Sequence, residues 1–311
     1  MPDMNKILEE LCSPKKKKLI LDTDTYNEID DQFAIAYAML AEETELLALT
    51  AAPFCNVRAA TAAEGMEKSY AEMQKIRGMI DPENRLHIPC FRGSQTYLPD
   101  ISTPVPSEAA EAIVRLVKES DSPVYVAAIG CFTNVASALL LDPSIRERMV
   151  VLLVGTNTFE HKNCNEFNLA QDRPAARVIL ECGVPVVVLP ALGGTEHITT
   201  TNAELCYYLQ GKAGRLGDYL CEIMVQEEGC PENETTCRTR SRIVWDIGAV
   251  AALRLGRAAG HVRIVPARSI TDDGDWQAES IPGRDMIYID RFDRDRIFSD
   301  FYTVLRNSKL K

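Results

Sequence analysis

LILDTDTYNEIDDQFAIA, residues 19–36, decides the fold. Residues 19–21 are a short apolar run that ends in Asp22 and Asp24, and residues 31–40 carry apolar side chains at helical spacing. A strand that feeds through a carboxylate-bearing turn into a helix opens a βα unit. Similar runs recur at 46–49, 124–129, 150–154 and 186–189. Their apolarity is continuous rather than alternating, which predicts parallel strands covered on both faces. Helical patterns lie between them, at 108–119 behind the cap Ser107 and at 172–182 ahead of Gly183. The order predicts an α/β fold with a doubly wound, mostly parallel central sheet flanked by helices.

After Pro190 the pattern becomes more helical, with stretches at 202–226 and 245–255 around a polar loop, 227–242, placed to cover a site. Strand-like runs at 262–267 and 286–289 flank a loop rich in Asp and Gly, and a helix over 294–305 closes the chain. With 311 residues, 46% hydrophobic and 25% charged, the chain can bury a large core, and a single domain over 1–311 is expected.

The net charge of −11 argues against nucleic acid and anionic membrane surfaces as partners; a small neutral substrate or a cation suits it better. The basic run from Lys15 to Lys18 reads as a solvated flank of the first strand. No apolar stretch is long enough to span a bilayer and the N-terminus does not read as a signal peptide, so a cytoplasmic location is expected. The ten cysteines form no CxxC pair and read as reduced thiols.

Asp22, Asp24, Asp30 and Asp31 place four carboxylates within ten residues, at the C-terminal end of a strand where open α/β sheets bind ligands. Such a cluster repels itself unless a cation, a donor network or protonation relieves it. A divalent cation is the simplest relief, and all-oxygen donors favour calcium or magnesium over zinc. The blander reading makes Asp30 or Asp31 a helix cap and leaves Asp22 and Asp24 to bond loop amides.

The stretch DTDTYNEIDDQFAI, residues 22–35, resembles the N-terminal signature of the inosine-uridine preferring nucleoside hydrolases, Asp-x-Asp-Pro-Gly-x-Asp-Asp. Here the spacer between Asp24 and Asp30 is two residues longer, and Tyr26-Asn27 stands in place of Pro-Gly. The resemblance continues at AAIGCFTNVASAL (127–139), NEFNLAQDRPAA (165–176) and VWDIGAVAAL (244–253), and more faintly at APFCNV (52–57).

The resemblance implies calcium held by Asp24, Asp31, Asp246 and the backbone carbonyl of Thr133. It implies ribose held by Asp30, Asn56, Glu166 and Asn168, with Asn163 and Asn165 competing for one further position. Asp24 would be the base that takes a proton from the attacking water, in a hydrolase that splits ribonucleosides into ribose and free base. The family forms dimers and tetramers, so a homodimer or homotetramer is expected. Trp245 occupies the place of a histidine in inosine-uridine enzymes; the Trp-Asp pair is similar to the purine-specific branch, which points to purine nucleosides and a stacked leaving group. His161 is a candidate leaving-group acid or simply an exposed loop histidine.

Two other readings compete. LILDTDT also fits the DxDxT motif of haloacid dehalogenase-like phosphatases, although no lysine follows in a suitable strand-end context. A metal-dependent nucleoside-binding protein without turnover is the other. Ribose release from a nucleoside separates the hydrolase from both, and phosphate release identifies the phosphatase.

Overall fold

The computed structural model describes residues 3–161, 163–228 and 239–308. After helix α1 (Met4–Leu11) come β1 (Lys17–Thr23), α2 (Asp30–Leu40), β2 (Thr44–Ala51), α3 (Ala62–Ile80), β3 (Cys90–Phe91), α4 (Glu108–Glu119), β4 (Val124–Ala128), α5 (Thr133–Leu141) and β5 (Met149–Val154). Then follow α6 (Phe167–Gln171), α7 (Arg173–Glu181), β6 (Val186–Leu189), β7 (Thr199–Thr201), α8 (Asn202–Leu209) and α9 (Gly214–Glu228). The chain ends with β8 (Ser241–Ile243), α10 (Ile247–Leu255), β9 (His261–Pro266), β10 (Asp285–Asp290) and α11 (Arg294–Asn307).

Eight strands form one sheet in the order β3-β2-β1-β4-β5-β6-β10-β9. Every neighbouring pair is parallel except β10 with β9. This is the α/β, doubly wound architecture expected from the sequence. Continuous apolarity follows from burial on both faces: Leu19 and Leu21 of β1 enter one core and Ile20 the other, and in β4 Tyr125 and Ala127 oppose Val124 and Val126. On one face α2 and α3 contribute Phe33, Ile35, Met66 and Ile76; on the other, α4, α5 and α7 contribute Ile113, Val135 and Ile179.

Strand order reverses between β1 and β4, so the connections leaving their C-terminal ends part there and open a crevice. Gly130, just beyond β4, lets β1 and β4 close around it: a Cβ there would stand 2.8 Å from the Asp24 amide nitrogen and 2.9 Å from its Cβ. The helix expected over 202–226 is two helices. The chain turns between them through Gly211 and Gly214, both at positive φ (65° and 61°), a conformation that glycine adopts without steric cost. Of the polar loop expected at 227–242, residues 229–238 lie outside the described residues.

Candidate active site

β1 delivers Asp24 at its C-terminal end, and the turn after it leads into α2, whose first two residues are Asp30 and Asp31. Ile29 is the N-cap and makes no side-chain capping bond, so neither aspartate is spent on capping. Both lie at the positive end of the helix dipole, which favours a carboxylate there. Asp246 arrives from the other half of the chain, immediately before α10, and it too makes no capping bond. Carboxylate oxygens of Asp30, Asp31 and Asp246 lie within 4.8 Å of one another.

These groups line a cavity of about 320 Å³ together with Asp24, Asn27, Glu28, Asn165, Glu166, Asn168 and Trp245. Larger clefts of about 500 and 670 Å³ open elsewhere, but size does not locate the chemistry: in the first, Arg294 is already paired with Glu204 and Asp295.

Burial, and then the mutual repulsion of the carboxylates, dominates the electrostatics. Asp24 is held well above the usual carboxylate range by desolvation first and by Asp31 and Asp30 next. Asp30 and Asp246 are raised in the same way, while burial pushes Asp31 up to about 7 against the lowering effect of the Thr23 hydroxyl. Asp24 Oδ2 is buried without a hydrogen-bond partner among the described residues. Buried acceptors left unpaired are costly. A hard divalent cation suits this set, since it would satisfy the unpartnered oxygen and offset the carboxylate charge together.

Asp22 belongs to the scaffold. It is fully buried, and its Oδ1 accepts from the Thr50 hydroxyl (2.6 Å) and from Asn134 Nδ2 (2.8 Å). A phosphatase reading would need Asp22 as an accessible nucleophile; it does not line the cavity, and no lysine does so among the described residues.

On the opposite wall Glu166 caps α6. Its carboxylate accepts from the amides of Leu169 (2.7 Å), Asn168 (2.7 Å) and Thr156 (3.1 Å), and burial pushes it up to about 7. Asn168 is oriented by donating Nδ2 to the carbonyls of Ile129 (2.8 Å) and Val154 (3.2 Å) at the ends of β4 and β5. Asn165 lines the cavity and its Oδ1 accepts from Arg173. Trp245 lines it half-buried beside Asp246.

Four residues named from the sequence are placed elsewhere. Thr133 is the first residue of α5, where its carbonyl runs along the helix axis, and its hydroxyl donates to Asp172 (2.6 Å). The residue of this segment that reaches the cavity is Ile129. Asn56 stands outside the lining and donates to Asn27 Oδ1 (2.6 Å). Asn163 is exposed outside the lining, and its carbonyl accepts from Asn157. His161 is exposed and bonded to the Thr158 hydroxyl (2.8 Å), away from the cavity.

Conversely, Asn157, Ala191, Leu192 and Thr195 line the cavity and were not singled out from the sequence. They follow β5 and β6, and only the rule that ligands bind beyond the carboxyl ends of strands pointed to those loops.

Residues 19–287 match the family described as inosine-uridine preferring nucleoside hydrolase. Over 231 residues the chain is 28% identical to a probable uridine nucleosidase 2 of Arabidopsis thaliana, covering 67% of this chain and 69% of that protein. Its fold is similar to that of a plant nucleoside hydrolase, the PpNRh1 enzyme (TM-score 0.72, 19% identity, 94% of this chain and 99% of that one). It is equally similar to a purine-preferring ribonucleoside hydrolase from Gardnerella vaginalis (TM-score 0.72, 18% identity, 93% and 98%). With its aspartates gathered at the switch point of the sheet and the match running from β1 into β10, the chain belongs to the inosine-uridine preferring nucleoside hydrolase family.

Proposed function

We propose that this protein hydrolyses the N-glycosidic bond of ribonucleosides to ribose and free base, with purine nucleosides preferred and calcium as its cation. The observation that carries the reading is the convergence of Asp24, Asp30, Asp31 and Asp246 in one cavity that faces Glu166 and Asn168. Asp24, Asp31 and Asp246 would hold the cation, with the Ile129 backbone rather than Thr133 beside them. A divalent cation bound there supplies positive charge that attracts vicinal hydroxyls and acidifies water.

The residues divide the remaining work. Asp24 takes the proton of the attacking water on a carboxylate oxygen as the water oxygen bonds to the anomeric carbon. Asp30, Glu166 and Asn168 hold ribose hydroxyls and orient the sugar. The bond from carbon to the base nitrogen breaks with its electron pair going to the base, which takes a proton from solvent to leave as the free base, and the surrounding carboxylates stabilise positive charge on the flattened sugar. Trp245 lines the cavity, where its indole would offer a face for a purine to stack on. That feature favours purines here, although the Arabidopsis relative carries a uridine name.

No helix among the described residues is long and apolar enough to cross a membrane. We assign the protein to the cytoplasm as a single domain that assembles as a homodimer or homotetramer.

Ribose release from purine and pyrimidine ribonucleosides, measured with calcium, with chelator and with Asp24→Ala, tests the reading. Release that needs both calcium and Asp24 is expected. Release from no nucleoside by a calcium-loaded chain would overturn it in favour of a binding protein.

A further inference from the structure

The aspartates at the site come from two segments more than 200 residues apart: the turn from Asp24 to Asp31, and Asp246. We propose that Glu28 and Arg242 form a latch that holds these two segments in register, which makes Arg242 a positioning residue for the cation site. The inference rests on the hydrolase reading only in naming what that site serves.

Each segment supplies one half of the latch. Glu28 lies in the longer spacer between Asp24 and Asp30 and lines the cavity. Arg242 lies on β8, four residues before Asp246, and its Nη2 donates to Glu28 Oε2 at 2.8 Å. β8 is a firm anchor: Arg242 pairs with Thr200 across the two-stranded sheet, and the Val244 amide donates to the Ile198 carbonyl at 2.8 Å. From Val244, which is buried, the chain runs directly into Trp245 and Asp246.

The spacer is fastened on its other side as well. The Tyr26 carbonyl accepts from Arg58 (3.3 Å), and Asn27 accepts from Asn56 (2.6 Å). Among the described residues, Glu28 thus ties this loop to the strand that leads into Asp246.

A partly exposed ion pair adds little to folding, so a stability role is a weak explanation. Ligand geometry is more demanding, because calcium takes its oxygens at about 2.3–2.6 Å. Charge alone and a latch make opposite forecasts for Arg242. Near a cation site, deleting a positive charge should tighten cation binding and deleting Glu28 should loosen it. If the pair holds the two segments together, both deletions loosen it.

The test is calorimetric titration of calcium alone into the full chain and into Arg242→Ala, Glu28→Ala, the double variant and the exchanged pair Glu28→Arg with Arg242→Glu. Metal-free melting curves confirm folding, and Arg242→Lys provides a milder change. The expected result is about a tenfold loss of affinity in each single variant. The double variant should be no worse than either single one, with partial recovery in Arg242→Lys and in the exchanged pair. Tighter or unchanged binding in Arg242→Ala, or losses that simply add in the double variant, would overturn the latch. Metal binding is read without turnover, so an absence of ribose release would count against the hydrolase reading and leave this result standing.

Discussion

The hydroxyl of Thr23, the last residue of β1, donates to Oδ1 of Asp31 in the first turn of α2. Because that proton is committed, the close contact between the Thr23 and Thr25 hydroxyls (2.6 Å) must have Thr25 as its donor. The chain of hydroxyls thus runs toward the carboxylate and fixes its rotamer. Thr23→Val keeps the shape and removes the donor. Calcium affinity is expected to fall by about 10- to 100-fold with little change in melting temperature, as measured by calorimetric titration. Unchanged affinity would show that Asp31 is oriented by other contacts.

Asp24→Asn separates chemistry from folding. The amide cannot accept the water proton, so kcat for ribose release should drop by about 10²- to 10⁴-fold. The same change removes one member of a buried, self-repelling cluster, so the metal-free variant should melt higher than the metal-free parent. A variant that loses both activity and metal-free stability would mark Asp24 as a structural group instead.

The raised carboxyls also set a pH dependence for the metal-free chain. A carboxyl whose folded value lies above its unfolded value of about 4 favours the folded state only while protonated. Their contribution to stability is therefore greatest at the acid end and is lost as pH rises toward the folded value of about 7 for Asp31. Calcium bound at the cluster would compensate charge in the upper range, so the gain in melting temperature on adding calcium should be small near pH 5 and larger above about pH 7. A gain that is flat across this range would mean that the cluster is ionised without cost.

Asn134 joins the scaffold beneath the site. Its Nδ2 donates to Asp22 (2.8 Å) and to the Ala51 carbonyl (3.0 Å), and its Oδ1 accepts from the Ser94 amide (2.8 Å). Asn134→Ala takes the acceptor from the buried Ser94 amide and a donor from the Ala51 carbonyl, while Asp22 keeps the Thr50 hydroxyl; each buried group left unpaired costs about 1–3 kcal/mol. Denaturant unfolding should show a loss of at least that size for one group; a loss below about 1 kcal/mol would mean that water replaces the side chain.

The strands were readable because both sheet faces are buried: 186–189 is β6 residue for residue, and 108–119 behind Ser107 is α4. Edges were less so, since β1 extends beyond its apolar run to Lys17 and Thr23, polar residues that still pair in the sheet. The long helix α3 carries Met66, Met73, Ile76 and Ile80 among Glu and Lys, a sparse stripe that did not stand out. In the site, contiguity made Asp24, Asp30 and Asp31 visible. Thr133 illustrates the opposite case. Gly130, Cys131 and Phe132 turn the chain between the cavity and α5, so the motif's neighbour Ile129 reaches the site while Thr133 starts the helix.

In the proposed mechanism Trp245 would set the base preference. Its indole lines the cavity beside Asp246, and an aromatic pair contributes about 0.5–1.5 kcal/mol beyond area burial, or roughly two- to tenfold in a rate constant. A purine offers a larger stacking face than a pyrimidine, so Trp245→Ala should lower kcat/KM for inosine by more than for uridine. Trp245→His adds a group that can donate a proton, and the uridine rate should gain relative to the inosine rate. Both comparisons use the same enzyme and the same ribose, so contacts to the sugar cancel in the ratio. Equal losses for the two nucleosides in Trp245→Ala would place the indole away from the leaving group and remove the argument for purines.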